Sequence, residues 1–158
     1  MSIQDWFDKY AEHHRNPINK LIHWICVPAI FFSIIGLLSN LSFDLGSNVL
    51  PEYIKRQMHA GTLLIIFGIA FFSRLSWSIT IGMAIICILI LKGVTFMYDQ
   101  NLNVFSLCLG IFAVAWIGQF IGHKIEGAKP SFFDDLKFLL IGPAWLLSFI
   151  YNKLGIKY

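Results

Sequence analysis

His14 and His23 stand nine residues apart in the stretch YAEHHRNPINKLIHWICVP (residues 10–28), with Asn16 and Asn19 between them. Far downstream, WIGQFIGHKIEGAKP (residues 116–130) carries Gln119, His123, Lys124 and Glu126. Neutral imidazole is the commonest protein ligand for a transition metal. Amides and carboxylates beside it orient the ligands or hold a polar substrate. The chemistry to test is therefore a metal centre built on His14, His23 and His123. Glu126 would serve there as ligand, as general base or as a carboxylate orienting a histidine, and Asn16, Asn19, Gln119 and Lys124 would contact substrate or ligands. Each residue alone also has a plain reading. Asn19 can satisfy a helix N-terminus, and a histidine can simply sit at headgroup level.

Spacing adds geometry. Nine residues at about 100° each put His14 and His23 on opposite faces of one continuous helix. Both can point the same way only if the chain breaks between them. Pro17 supplies the break, because it disfavours helix at Asn16 and suits a helix start. The pattern predicts a helix ending near His14, a turn at Asn16–Pro17 and a second helix from about Ile18. His123 and Glu126 are three residues apart and share a face if their helix runs on past Gly122.

The elements that must hold these residues are apolar. The chain of 158 residues is 57% hydrophobic and 13% charged, against about 45–50% and about 25% for a soluble domain. The excess is gathered into blocks at 22–41, 57–73, 76–98 and 103–122, close to the roughly 20 residues a spanning helix needs. A fifth apolar stretch, 136–151, has Gly142 and Pro143 near its middle, which predicts a short, kinked or re-entrant element. At the N-terminus, Ile3, Trp6, Phe7 and Tyr10 fall at helical spacing opposite Asp5, Asp8, Lys9 and Glu12. That amphipathic helix either lies in the membrane interface or packs on neighbouring helix ends. No cleavable signal is expected. The fold expected is an all-α polytopic membrane helix bundle, one domain over residues 1–158, with four clear spans, a fifth short or broken element and an N-terminal interfacial helix.

Four crossings return the chain to its starting face, so the two polar clusters meet at one interface. Lys9, Arg15, Lys20, Arg74, Lys124, Lys129 and Lys137 would share that face, against Lys55, Arg56 and Lys92 on the other, which predicts a cytoplasmic site. His59 falls on the far face. The membrane would be a bacterial inner membrane or the endoplasmic reticulum. Cys26, Cys87 and Cys108 lie inside apolar blocks and read as small buried hydrophobes. A net charge of +3 is too small to imply nucleic acid, and no phosphate-binding glycine loop or nucleophile elbow is present. Oligomeric state stays open.

Tyr10, His14, Asn16, Asn19, His23 and Pro28 form Y-x3-H-x-N-x2-N-x3-H-x4-P, and Trp116, Gln119, Gly122, His123, Glu126 and Pro130 form W-x2-Q-x2-G-H-x2-E-x3-P. As a pair these motifs resemble the yeast-type 2-hydroxy fatty acid dioxygenases, a family of small multi-pass proteins, and the resemblance covers nearly the whole chain. It implies an Fe(2+)-dependent, O2-consuming α-oxidation that shortens a 2-hydroxy fatty acid by one carbon, which in fungi serves phytosphingosine breakdown. It implies His14, His23 and His123 as the iron-site residues, and membrane lipids, O2 and a 2-hydroxy fatty acid as partners. Two other readings are open: a metal-dependent membrane lipid hydrolase with Glu126 as general base, and a non-enzymatic membrane scaffold or carrier.

Overall fold

The computed structural model describes residues 1–12, 14–43, 50–127 and 138–158. These residues form helices and no strand, with one isolated antiparallel bridge between Ser42 and His59. The helices are α1 (Ile3–Ala11), α2 (Pro17–Leu38), α3 (Glu52–Lys55), α4 (Ala60–Ser73), α5 (Trp77–Asp99), α6 (Val104–Glu126) and α7 (Ile141–Leu154).

The break between the first two helices falls where Pro17 requires it. The Asn16 side-chain oxygen accepts the Ile18 N–H at 2.9 Å and caps α2, and Pro17 takes the first helical position, where it has no hydrogen bond to lose. α1 begins with a reciprocal cap: Ser2 Oγ accepts the Asp5 N–H and the Asp5 carboxylate accepts the Ser2 N–H, at 3.2 and 2.6 Å. Its apolar face, Ile3, Phe7 and Tyr10, is buried against protein. Phe7 meets Tyr158, Tyr10 meets Trp145 of α7, and Trp6 meets Phe71 at the end of α4. Of the two readings of this helix, the structure shows packing on neighbouring helix ends.

The long helices alternate in direction. α2 and α6 run antiparallel, with Asn19 beside Gly122 at one end and Gly36 beside Cys108 towards the other. Small residues on α6 let the two backbones approach closely, as in helix pairs within lipid. α4 starts where α2 ends, since the Ala60 N–H donates to the Leu41 carbonyl. α5 ends there too, with Tyr98 hydrogen-bonded to Ser39 at 3.0 Å. The start of α2 and the end of α6 therefore share one end of the bundle.

α2, α5 and α6, of 22, 23 and 23 residues, are long and apolar enough to cross a membrane. At 1.5 Å per residue each reaches about 33–35 Å, against a hydrocarbon core of about 30 Å. Of the four spans expected, the structure gives three that length. α4 is apolar but has 14 residues, about 21 Å. His59 caps it by accepting the Thr62 N–H on Nδ1 at 3.2 Å, so residues 57–59 are spent on the approach. Outward-facing positions are as apolar as inward ones: Ile25, Phe67, Leu89 and Val114 are 69%, 63%, 62% and 70% exposed. A water-facing surface does not carry such continuous apolar area, and lipid does accept it.

The fifth element departs from expectation. Gly142 and Pro143 do not interrupt a helix; they lie in the first turn of α7, where proline is tolerated. α7 has 14 residues, and its first half, Ile141 to Ser148, is buried. It is a short straight helix seated inside the bundle, packed on α1, α2 and α5. Residues 136–137 of that stretch lie outside the described residues.

Candidate metal centre

Three histidines from three segments meet at the shared end. His14 comes from the link after α1, His23 from the second turn of α2 and His123 from the last turn of α6. They are 3%, 1% and 4% exposed. One nitrogen from each lies within 4.8 Å of the others. The ring centroids of His123 stand 5.5 Å from His14 and 5.2 Å from His23.

The backbone fixes how two of these rings present themselves. His14 Nδ1 is 2.7 Å from the Tyr10 carbonyl, and His23 Nδ1 is 2.9 Å from the Asn19 carbonyl. A carbonyl can only accept, so each Nδ1 carries the hydrogen and each Nε2 keeps its lone pair. Those two Nε2 atoms face each other at 2.8 Å. A pair so placed is held together by a shared proton or by a metal ion between the two nitrogens. Imidazole nitrogens bound to one first-row ion lie about 2.0–2.1 Å from it, so two of them stand roughly 3 Å apart. The donor set thus fits a first-row transition metal held by imidazoles whose other nitrogens are anchored by hydrogen bonds.

Around the imidazoles the walls are aromatic. Tyr10 stacks on His14 with centroids 4.3 Å apart and planes 13° from parallel. Trp145 of α7 lies 5.6 Å from His14 and 5.1 Å from Tyr10.

Glu126 clasps the two halves of the site. Its carboxylate accepts the Arg15 N–H at 2.8 Å, the Asn16 N–H at 2.8 and 3.1 Å, and the Asn19 side-chain amide at 3.0 Å. The turn that carries His14 is thereby tied to the helix end that carries His123. Both oxygens are occupied by N–H groups, which is the environment of a structural anion. α6 continues past Gly122 as the His123–Glu126 spacing required, and Gly127 ends it with φ of +77°, a left-handed conformation that glycine adopts without penalty.

The other candidates divide by position. Asn19 is fully buried between α2 and Gly122. Asn16 serves as cap and as donor to Glu126. Gln119 is buried one turn before His123. Lys124 is exposed. His59 caps α4 at the opposite end. Lys129 and Pro130 lie outside the described residues. The sequence motifs named Tyr10 without a role, and Trp145 was not singled out at all. The signal for Trp145 was the Gly142–Pro143 pair, read as an interruption rather than as a helix start that carries Trp145 inward.

The approach of α6 to Asn19 yields a prediction. A Cβ at Gly122 would collide with the Asn19 side-chain oxygen. Gly122→Ala is expected to push Asn19 off Glu126 and to move His123 relative to His23. A displacement of that kind weakens metal binding roughly 10–100-fold, as loss of ligand-orienting contacts does elsewhere, while Gly110→Ala, at a position where a Cβ meets nothing within 4 Å, changes nothing. Metal titration of the two variants measures it.

The family described as 2-hydroxy-palmitic acid dioxygenase Mpo1-like matches residues 1–154. The 2-hydroxy-palmitic acid dioxygenase MPO1 of Saccharomyces cerevisiae is 30% identical over 148 residues, covering 92% of this chain and 78% of the yeast protein. No solved structure matches the chain.

Proposed function

The chain belongs to the 2-hydroxy-palmitic acid dioxygenase Mpo1-like family, and on that premise we propose that it is an iron(II)-dependent membrane dioxygenase of 2-hydroxy fatty acids. The reaction balances as R–CH(OH)–COOH plus O2 giving R–COOH, CO2 and H2O. The C1–C2 bond breaks, the two carbons together give up four electrons, and O2 takes them. Iron, when bound, supplies the one-electron chemistry that O2 needs to react with a closed-shell acid.

The chain's own residues do the rest. His14, His23 and His123 hold the ion, and three nitrogens leave positions for other groups. The Tyr10 and Asn19 carbonyls fix the tautomers of His14 and His23. Glu126 keeps the three segments in register, as a positioning residue. The Tyr10 and Trp145 rings exclude water from one side. Arg15, Lys20 and Lys124 give the rim the positive charge that draws a carboxylate. The acyl tail stays among the apolar helices. In this reading α4 makes a fourth crossing, with the bilayer thinned beside it, and the excess of Lys and Arg supports a site on the cytoplasmic face of a bacterial inner membrane or the endoplasmic reticulum.

The observation that carries the reading is the meeting of three buried imidazoles in a chain of this family. The test is O2 uptake and odd-chain product formation from 2-hydroxypalmitic acid by protein purified without chelator, with iron measured in parallel. Uptake matched mole for mole to product, lost under nitrogen and lost on iron removal, is the expected result. Product formed under nitrogen would overturn it. The hydrolase reading loses ground because Glu126 spends its oxygens on backbone and amide donors.

A further inference from the structure

The end of the bundle away from the histidine cluster holds a polar cleft of about 420 Å³, walled by Ser39, Arg56, His59, Thr95, Tyr98 and Asp99. That volume is in the range of a small-molecule site. α2 ends at Leu38 and α5 at Asp99, so the cleft lies where these two helices leave the apolar layer, at headgroup depth. Apolar surface borders it. Leu41, and Phe96 three residues before Asp99 on the same face of α5, are each 61% exposed.

Its wall keeps hydrogen-bonding capacity of both kinds. His59 is 4% exposed. Its Nδ1 accepts the Thr62 N–H at 3.2 Å. A ring nitrogen that accepts carries no hydrogen, so the imidazole is neutral and its hydrogen is on Nε2. Nε2 has no partner among the described residues and stays accessible on the cleft wall. Arg56 donates one N–H to Asp99 Oδ1 at 2.7 Å, which leaves the rest of the guanidinium fork and Asp99 Oδ2 for a ligand. The Tyr98 and Ser39 hydroxyls are already joined at 3.0 Å and shape the wall. The cleft therefore offers N–H donors from Arg56 and His59 beside a carboxylate oxygen, with charges that sum to zero.

We propose that this cleft binds the headgroup of a zwitterionic phospholipid with a primary ammonium, phosphatidylethanolamine, with the phosphate on Arg56 and His59 Nε2–H and the ammonium on Asp99 Oδ2. Charge complementarity selects this chemistry. A purely anionic headgroup would set its charge against the Asp99 carboxylate. A quaternary ammonium has no N–H to donate and is held by an aromatic cage, whereas Tyr98 is the one ring besides His59 in this wall. A primary ammonium donates to the free carboxylate oxygen, and guanidinium with imidazole N–H suits a phosphodiester. The exposed Leu41 and Phe96 side chains give the acyl chains an apolar surface beside the cleft, which a soluble phosphodiester would not use.

The test places the full chain in vesicles of equal parts phosphatidylethanolamine, phosphatidylcholine and phosphatidylglycerol, extracts it in mild detergent and measures the lipid it retains by mass spectrometry. The wild type is expected to retain phosphatidylethanolamine about tenfold over either competitor, the value of one charge-assisted hydrogen bond. Asp99→Asn is expected to bring its ratio to phosphatidylcholine to about one. His59→Ser keeps a side chain that can cap α4 but withdraws the Nε2 donor, and is expected to lower the retained phosphatidylethanolamine about tenfold. Helical circular dichroism shows that each variant is folded, and the wild-type ratio decides even where one is not. Equal retention of the three lipids by the wild type, a preference for phosphatidylglycerol, or an enrichment that survives either substitution in folded protein overturns the proposal. Dihexanoyl phosphatidylethanolamine is expected to displace the retained lipid, and glycerophosphoethanolamine, which has no acyl chains, is not. Equal displacement by both would mean a soluble ligand and overturn the assignment to lipid.

Discussion

His123→Ala is expected to abolish O2-dependent shortening of a 2-hydroxy fatty acid and to strip the protein of iron, with the helices intact. Three imidazoles are the whole histidine donor set at this end of the bundle among the described residues, so losing one leaves a two-nitrogen site. Packing survives because α6 is held elsewhere. Gly118 lies against Cys26, where a Cβ would come within 2.6 Å of the sulfur, and Gly36 lies against Cys108. His123 itself sits in the last turn of α6, outside the apolar clusters of the core. Product formation in air and under nitrogen, iron content and helical circular dichroism check the outcome together. His59→Ala is the companion, since His59 caps α4 at the other end, and it is expected to keep most of the activity. Full activity in the His123 variant would mean that the cluster is not the reaction centre.

Glu126→Gln has the next largest expected effect and a different signature. The carboxylate faces three N–H groups, those of Arg15, Asn16 and the Asn19 amide. An amide keeps one oxygen to accept with but turns its own NH2 towards one of those donors. The clasp is lost on one side, and the remaining contacts lose their charge assistance, which makes such a bond roughly twice as strong as a neutral one. Iron affinity or turnover is expected to fall about 10–100-fold, as it does when a ligand-orienting carboxylate is removed, without going to zero. Raising the iron concentration should restore most of the turnover. A general base behaves otherwise: its loss removes turnover at every iron concentration. An iron titration of the variant therefore separates clasp from base.

Much of the site was legible because its signals are local. Pro17 announces a break whatever surrounds it, and that break alone lets His14 and His23 face each other. The three-residue spacing of His123 and Glu126 needed only that α6 not stop at Gly122. What the sequence hid depends on tertiary fit. Nothing in the run 57–73 says that His59 rather than Gln57 would cap α4, and those residues decide whether the helix reaches across a bilayer. Gly142 and Pro143 are compatible with a kink and with a first turn, and only the seat against Val27 and Tyr10 selects the second. The tautomers of His14 and His23 are set by carbonyls of Tyr10 and Asn19, and backbone carbonyls leave no mark in a sequence.

The distribution of donors over the chain also has a consequence for biosynthesis. His14 lies in the link before the first long helix, His23 on that helix and His123 at the end of α6. A chain emerging from a ribosome and inserting helix by helix has its first two imidazoles in place long before the third exists. Until α6 has docked on α2, the Glu126 clasp is open and the set of three nitrogens is incomplete. A nascent chain therefore lacks the three-histidine cluster while it is being made. On the proposed function, metal loading would report on assembly, because only a chain whose first and last long helices have paired brings all three histidines together.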